Sequence, residues 1–239
     1  MCGDPMCSLS RRRVFVAGLA SALGALLMND VWADQPTAEL APNAIAPADA
    51  LARLLQGNVR YAANAPANKD YSAGRAARVA AQYPIAAIVG CADSRVAPEL
   101  AFDQGPGDLF VVRVAGNFVN DDGLASLEYG VKFLGVPLIV VLGHTHCGAV
   151  SAAVKAIEEG ISLPGHLPEL VRAIRPAVEI ARSQGQGDLI AAATVENVRL
   201  NANRLRVSRP VIGELVKAGK VRVVGAIYDL ASGTVGVVD

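Results

Sequence analysis

Residues 138–148 of the chain read LIVVLGHTHCG, an apolar run that passes without a break into two histidines and a cysteine. A second stretch with the same layout, residues 85–95, reads IAAIVGCADSR and ends in a cysteine, an aspartate and an arginine. Short continuous apolar runs of this length are typical of strands buried on both faces of a parallel sheet. Each stretch therefore predicts a buried strand followed at once by a loop of chemically active residues.

The remaining apolar runs continue this pattern along the chain. Further strands are predicted at residues 109–115 and 221–228, with a short edge strand at 234–238 antiparallel to the last of them. Segments with helical character lie before, between and after the strands, at residues 47–63, 73–82, 123–134, 149–159, 168–184, 189–207 and 210–218. Strands that alternate with helices are typical of an α/β fold. We therefore expect a mainly parallel central β-sheet flanked by helices.

Composition and charge exclude two classes of protein. The chain has 239 residues, of which 22 are basic and 22 acidic, so its formal net charge is zero. A protein that binds nucleic acid through a broad electrostatic field needs an excess of Lys and Arg, so no nucleic-acid partner is expected. Hydrophobic residues make up 52% of the chain and charged residues 18%, which supplies enough apolar surface for a packed core and argues against a disordered chain.

The N-terminal residues have the layout of an export signal. Three arginines at positions 11–13 precede an apolar run of 15 residues, 14–28. This run is shorter than the ~20 residues that span a bilayer, which indicates a signal peptide over residues 1–33. The pair Arg12 and Arg13 resembles a twin-arginine (Tat) signal, with an ordinary Sec signal or an uncleaved anchor as the alternatives. We expect export to the periplasm or the exterior by the Tat route, with no stable membrane insertion after cleavage.

The polar residues that follow the two opening strands are suited to bind a metal ion. Cys91 follows one strand, and His144 and Cys147 follow the other. Since α/β sheets place ligand-binding groups at the carboxyl ends of their strands, the two loops would meet if these strands are neighbours. Two thiolates and an imidazole select zinc, and three protein ligands leave the open fourth position of a catalytic zinc site. A disulfide between Cys91 and Cys147, without metal, is the alternative in an exported protein.

The motifs in this order resemble those of the β-class carbonic anhydrases. Four segments carry the resemblance: CADSR at 91–95, GPGDLFVVRVAGN at 105–117, LEYGV at 127–131 and HTHCG at 144–148. The resemblance extends over residues 47–239. It implies an N-terminal helical arm that embraces a second subunit, and an active site at the interface of a homodimer or higher homo-oligomer.

The resemblance also implies a division of the chain. Residues 1–33 are then the signal peptide, residues 34–75 a leader and the helical arm, and residues 76–239 a zinc-binding α/β catalytic domain. The reaction implied is the reversible hydration of carbon dioxide to bicarbonate and a proton by a zinc-bound hydroxide, with one Zn²⁺ per chain.

Roles for single residues follow from the same resemblance. Cys91, His144 and Cys147 match the family's zinc ligands. Asp93 and Arg95 form a catalytic dyad, in which the carboxylate accepts a hydrogen bond from the hydroxide and the guanidinium holds the carboxylate. Alternatively, Asp93 itself takes the fourth position on the metal in a closed, inactive state.

Substrate-binding roles are implied for four further residues. Gly148 matches a position whose amide helps to bind near the metal. Gln82, Phe110 and Tyr129 match residues that line the carbon dioxide pocket from the partner subunit. His146 lies between two of the zinc ligands; it could relay protons, but an exposed loop histidine is the simpler interpretation.

Two other functions remain open from the residues alone. Hydrolysis of carbonyl sulfide or carbon disulfide could use the same ligands, because both molecules are linear and apolar like carbon dioxide. A non-catalytic zinc scaffold is the third interpretation, and the presence of both Asp93 and Arg95 argues against it.

Overall fold

The computed structural model describes residues 41–67, 70–72, 74–185 and 187–238. The signal peptide expected over residues 1–33 lies outside the described residues, as does the first part of the leader. Within the described ranges, no helix combines the length and the hydropathy that a membrane span requires.

One five-stranded sheet forms the centre of the described chain. Its strands are β1 (Ala86–Gly90), β2 (Leu109–Arg113), β3 (Leu138–His144), β4 (Arg222–Tyr228) and β5 (Val235–Val237). They are arranged in the order β2-β1-β3-β4-β5. The first four are parallel and β5 is antiparallel to β4. The predicted α/β class and all five predicted strands are therefore confirmed.

Eight helices accompany the sheet in the described residues. They are α1 (Pro47–Ala62), α2 (Arg75–Ala80), α3 (Pro98–Ala101), α4 (Asp121–Phe133), α5 (Gly148–Glu159), α6 (Leu167–Gln184), α7 (Leu189–Arg206) and α8 (Ile212–Lys217). Seven of them lie within or close to the predicted segments. The eighth, α3, has four residues, which is too few for apolar residues to show a helical period. The second helix ends earlier than the predicted 73–82, because its C-cap Ala81 is already extended.

The two central strands explain why the apolar runs are continuous. Every residue of β1 and of β3 is buried. Alternate side chains point to opposite faces of a strand, and here each face meets its own core. Ile88 and Val140 belong to a cluster that includes residues of α1, whereas Val89 and Val141 belong to a cluster with α4 and α7. Helices thus cover both faces, as a parallel sheet requires.

Helix α1, expected in the arm, is anchored on its own chain. Its Leu54 is fully buried in the core. At Gly57 the helix passes so close to the end of α3 that a Cβ would lie 1.8 Å from the carbonyl oxygen of Phe102. The next residue, Asn58, donates hydrogen bonds to the carbonyls of Ala101 and Gly233 at 2.9 and 2.8 Å. The expected embrace of a second subunit stays a prediction. Helix α2, which begins where the expected arm ends, has no buried residue.

Candidate metal centre

Three predicted metal ligands converge at the carboxyl end of the sheet. Cys91 directly follows β1, His144 is the last residue of β3, and Cys147 is the N-cap of α5. Strands β1 and β3 are parallel neighbours, with Gly90 paired to Leu142. Because the carboxyl ends of the two strands lie at the same edge of the sheet, the loops that follow them meet, as the sequence predicted.

The three side chains form a compact, buried donor set. Their ligating atoms all lie within 4.8 Å of one another. The sulfurs of Cys91 and Cys147 are 3.9 Å apart, well beyond the ~2.05 Å of a disulfide bond, and both cysteines are free thiols. All three residues are buried. The alternative of a Cys91–Cys147 disulfide is therefore not the state of this structure.

His144 is oriented with one ring nitrogen free to bind a metal ion. Its Nδ1 lies 2.9 Å from the carbonyl oxygen of Thr145. A carbonyl oxygen only accepts, so Nδ1 carries the proton and Nε2 keeps its lone pair. That Nε2 atom is buried and has no hydrogen-bond partner among the described residues. A buried imidazole nitrogen without a partner, facing two thiols, fits a soft divalent cation such as Zn²⁺.

The two thiols lie so close together that the ionisation of one opposes the ionisation of the other. A hydrogen bond from the Cys147 thiol lowers the pKa of Cys91 to about 4, and the backbone amide of Gly116 donates to the same sulfur at 3.3 Å. The shared hydrogen bond and burial raise the pKa of Cys147. Between them the pair therefore holds one negative charge readily and resists a second. A dication held by both sulfurs would remove that resistance, because it would favour both thiolates.

Asp93 and Arg95 form a tight ion pair beside this cluster. The Nε and Nη2 atoms of Arg95 donate to the two carboxylate oxygens of Asp93 at 2.9 and 2.7 Å, and the Arg95 amide donates to the same carboxylate. The Arg95 side chain holds the pKa of Asp93 well below its usual range. One carboxylate oxygen of Asp93 lies 3.8 Å from Nε2 of His144. Asp93 therefore lies beside the three metal-ligand side chains, with a charged carboxylate that Arg95 holds in one orientation as a hydrogen-bond acceptor.

His146 contributes its backbone to this arrangement. Its carbonyl oxygen accepts a hydrogen bond from Arg95 at 3.3 Å, and its φ of 54° lies in the left-handed region. The imidazole is exposed, as the simpler interpretation of its sequence position predicted.

Arg113 fastens the loop that carries Cys91 and Asp93, a role that sequence reasoning missed. Its side chain donates to the carbonyl oxygens of Cys91, Asp93 and Val96 at 2.8, 2.7 and 2.8 Å. Arg113 ends β2 and pairs with Gly90. The residue lies within the 105–117 motif, but only the order of the strands reveals that its side chain reaches the neighbouring loop.

Gly148 leaves one side of the cluster open. It is the exposed first residue of α5, and a Cβ added there would meet no atom within 4 Å. Packing within this chain therefore does not require a glycine. Open space beside the N-terminus of a helix, next to Cys147, is where a small polar ligand has access to backbone amides.

The remaining predicted pocket residues are not brought to the metal ligands within this chain. Phe110 on β2 contacts Tyr129 on α4, with ring centroids 6.4 Å apart. Phe110 pairs with Ala87, four residues before Cys91, which corresponds to ~13 Å along a strand. Gln82 lies in the segment between α2 and β1 and is exposed. Their expected role would thus need a second copy of the chain.

Comparisons with known proteins agree with this geometry. The family model described as carbonic anhydrase matches residues 86–235. Carbonic anhydrase 2 of Mycobacterium tuberculosis is 41% identical over 188 residues, which cover 78% of this chain and 90% of the relative. The carbonic anhydrase of Mycolicibacterium smegmatis is 39% identical over 190 residues, with coverage of 79% and 92%.

Solved structures give the same result for the fold. A β-carbonic anhydrase of Aspergillus fumigatus superposes with a TM-score of 0.63 at 27% identity, covering 80% of this chain and 90% of that one. The Coccomyxa β-carbonic anhydrase in complex with acetazolamide has a TM-score of 0.62 at 27% identity, with coverage of 78% and 85%. The chain therefore belongs to the carbonic anhydrase family of enzymes, and its fold is that of the β class.

Arg113 offers a test of how the site is held. In Arg113→Met three loop carbonyls lose their charged donor, and we expect the free energy of unfolding to fall by about 2 kcal/mol. Urea denaturation followed by circular dichroism measures this loss. Arg175→Met is the matched control, because the ion pair that Arg175 makes with Glu179 among the described residues is exposed, has a 3.9 Å separation and is worth less than about 0.5 kcal/mol. Equal losses in the two variants would contradict the role given to Arg113.

Proposed function

We propose that the chain catalyses the reversible hydration of carbon dioxide to bicarbonate and a proton, with one zinc ion held by Cys91, His144 and Cys147. The observation that carries the proposal is the buried Nε2 of His144, which has no hydrogen-bond partner in the described part of the chain and lies within 4.8 Å of two thiol sulfurs. Three ligands of this type leave a fourth position for a reacting molecule. Membership of the carbonic anhydrase family supports the choice of substrate.

Zinc, when bound, would supply a Lewis acid that brings the pKa of a water molecule to about 7. The chain's own residues then have two tasks, to orient the reacting oxygen and to admit the substrate. Asp93 serves the first task. Its carboxylate stays charged because Arg95 stabilises the charged form, so it can accept a hydrogen bond from the reacting oxygen and fix the direction of its lone pair.

The pairing of Asp93 with Arg95 favours this role over direct metal ligation. Both carboxylate oxygens are engaged by Arg95, which is half exposed and lies on the solvent side of the pair. To become a fourth ligand, Asp93 would have to give up that bidentate contact. Gly148 serves the second task, since the open space beside it leaves room for a small substrate and exposes the first amides of α5.

We further propose that the substrate pocket is completed by a second copy of the chain. Tyr129 and Phe133 expose 43% and 46% of their surface, and their rings are tilted against each other with centroids 5.5 Å apart. Phe110 lies beside Tyr129. This aromatic surface lies along β2, an edge strand of the sheet. An exposed apolar patch next to an edge strand is a natural homodimer contact. In such a dimer, Gln82, Phe110 and Tyr129 of one protomer would line the metal centre of its partner.

We also propose that the protein is exported. The arginines at 11–13 and the apolar run after them support a signal peptide over residues 1–33, removed during transport by the Tat route. Since that route carries folded proteins, the metal could bind before the thiols meet an oxidising compartment.

Metal content and activity test the central proposal together. We expect the purified protein to carry about one zinc ion per chain and to hydrate carbon dioxide in stopped-flow assays between about pH 6.5 and 9. Cys147→Ser should lose the metal and the activity. Asp93→Asn should keep the metal and lose at least about 100-fold in kcat. Asp122→Asn, a change of the same kind at an exposed site in the first turn of α4, should retain both.

A zinc-loaded protein with no hydration at any pH would reject the proposed reaction. Carbonyl sulfide and carbon disulfide would then be the substrates to assay on the same preparation. A metal-free protein that hydrates carbon dioxide at the wild-type rate would instead reject the metal centre.

Mixed dimers test the composite pocket. Cys91→Ser lacks a metal ligand but keeps its aromatic surface, whereas Phe110→Ala keeps its metal ligands. Each variant alone should have low activity. In a mixed dimer, one site receives intact ligands from the Phe110→Ala chain and an intact Phe110 from the other, so co-expression should give more activity than the sum of the separate variants. If co-expression gives only the sum of the two separate activities, Phe110 does not contribute to the partner's site.

Fractionation tests the export route. The double change Arg12→Lys, Arg13→Lys should leave the protein in the cytoplasm, because the Tat signal depends on its arginine pair. Arg11→Lys is the matched control and should be exported, with an N-terminus after residue 33 by sequencing. Export of the double variant at the wild-type level would favour the Sec route.

A further inference from the structure

Helix α7 carries a stripe of polar side chains on a face that is otherwise packed against the core. Asn197, Asn201 and Arg204 are separated by four and three residues, so they share one face of the helix. Asn197 and Asn201 are buried. Unpaired amides would be costly there, and all three side chains instead reach residues 116–119, the loop that follows β2. We call these three residues the α7 stripe and this segment the β2 loop.

Each member of the stripe holds the backbone of the β2 loop. Asn197 Nδ2 donates to the carbonyl oxygen of Gly116 at 2.8 Å. Asn201 Oδ1 accepts from the amide of Val119 at 2.9 Å, and Arg204 donates to the Val119 carbonyl at 2.6 Å. The loop is thus fixed at both of its ends by one helix, which is more than 80 residues away in sequence.

The hydrogen bonds also fix which way the two amides face. The Val119 N–H is a donor, so the Asn201 atom facing it is the oxygen. Its Nδ2 then points to Asn197, where it donates to the carbonyl at 2.8 Å and to Oδ1 at 3.2 Å. Asn197 must therefore present its own Nδ2 to Gly116. The Val119 amide thus determines how the Asn201 amide is oriented, and Asn201 in turn determines which atom of Asn197 faces the Gly116 carbonyl.

Gly116 connects this network to the metal centre. While its carbonyl oxygen accepts from Asn197, its N–H donates to Sγ of Cys91 at 3.3 Å. Its φ of 84° favours glycine, and a Cβ there would lie 2.8 Å from Cδ1 of Ile174. The position of the N–H donor therefore depends on how the carbonyl end of the same residue is held.

We infer that Asn197 is a positioning residue for the Cys91 thiolate, acting through Gly116. By holding the Gly116 carbonyl, it keeps the Gly116 amide aimed at the sulfur. A hydrogen bond to a metal-bound thiolate withdraws charge from the sulfur and orients its lone pairs, as partners outside the ligand set do in other metal sites. The inference rests on the proposed metal centre and adds to it a residue that touches no ligand.

The test compares two asparagines of α7 in zinc- and cobalt-loaded protein. Asn197→Leu keeps the branched shape of the side chain and removes the donor. Asn203→Ala is the control, since Asn203 is exposed and its side chain accepts a hydrogen bond from Arg206 of the same helix. Leu205→Val, a core change in the same helix, controls for lost stability alone. The readouts are the zinc dissociation constant from chelator competition and the thiolate-to-cobalt charge-transfer band.

We expect Asn197→Leu to raise the zinc dissociation constant about 10-fold. Its charge-transfer band should move to longer wavelength, because a sulfur without its hydrogen bond gives up electrons more easily. The two control variants should leave both values at the wild-type level. Unchanged values in Asn197→Leu, or an equal change in Leu205→Val, would overturn the inference. Wild-type protein that binds no zinc would instead reject the proposed metal centre.

A measurement on the wild-type chain keeps the inference testable if Asn197→Leu does not fold. In ¹¹³Cd-loaded, deuterated protein, the Gly116 amide proton should show a scalar coupling to cadmium through Sγ of Cys91. Asn203→Ala should preserve this coupling. Its absence from the wild-type spectrum, with cadmium bound, would show that the amide does not reach the sulfur and would overturn the inference.

Discussion

The parallel pairing of β1 with β3 is the constraint on which the site depends. Gly90 lies beside Leu142 in this register, so the residues that follow each strand leave the sheet at the same edge. A slip of one residue would move one loop by ~3.3 Å and turn every side chain of that strand to the other face. Because both strands are buried throughout, such a slip would place all their side chains in the wrong core. The packing of the sheet therefore also holds the donor atoms together.

Around this pairing, the loops are held by groups that come from elsewhere in the fold. Arg113 of β2 holds the carbonyls of the loop after β1, and Asn197 of α7 holds the loop after β2. Both donate hydrogen bonds to backbone carbonyls, which restrains the loops without adding a metal ligand. The charged pair of Asp93 and Arg95 lies beside the donor set, with the Arg95 side chain half exposed.

The sequence predicted the elements whose signals are local. The apolar runs located the strands, and the residues directly after two of them located Cys91, His144 and Cys147. Helix α3 was missed because four residues carry no period. Arg113 and Asn197 were missed because their partners lie 17 to 22 and 81 residues away and are backbone atoms, which leave no pattern in side-chain type. The proposed roles of Phe110 and Tyr129 at a metal centre involve a second chain, which no single-chain signal describes.

The donor set joins segments that separate when the chain unfolds. Cys91 stands 53 residues before His144, and only the folded sheet brings their side chains within reach. A metal ion that binds the folded chain alone adds to its stability by mass action, by about 2.7 kcal/mol when the free metal is 100 times its dissociation constant. The thermal midpoint of such a protein follows the free concentration of the ion around it. The same three side chains would then make the stability of the fold depend on how much metal its surroundings supply.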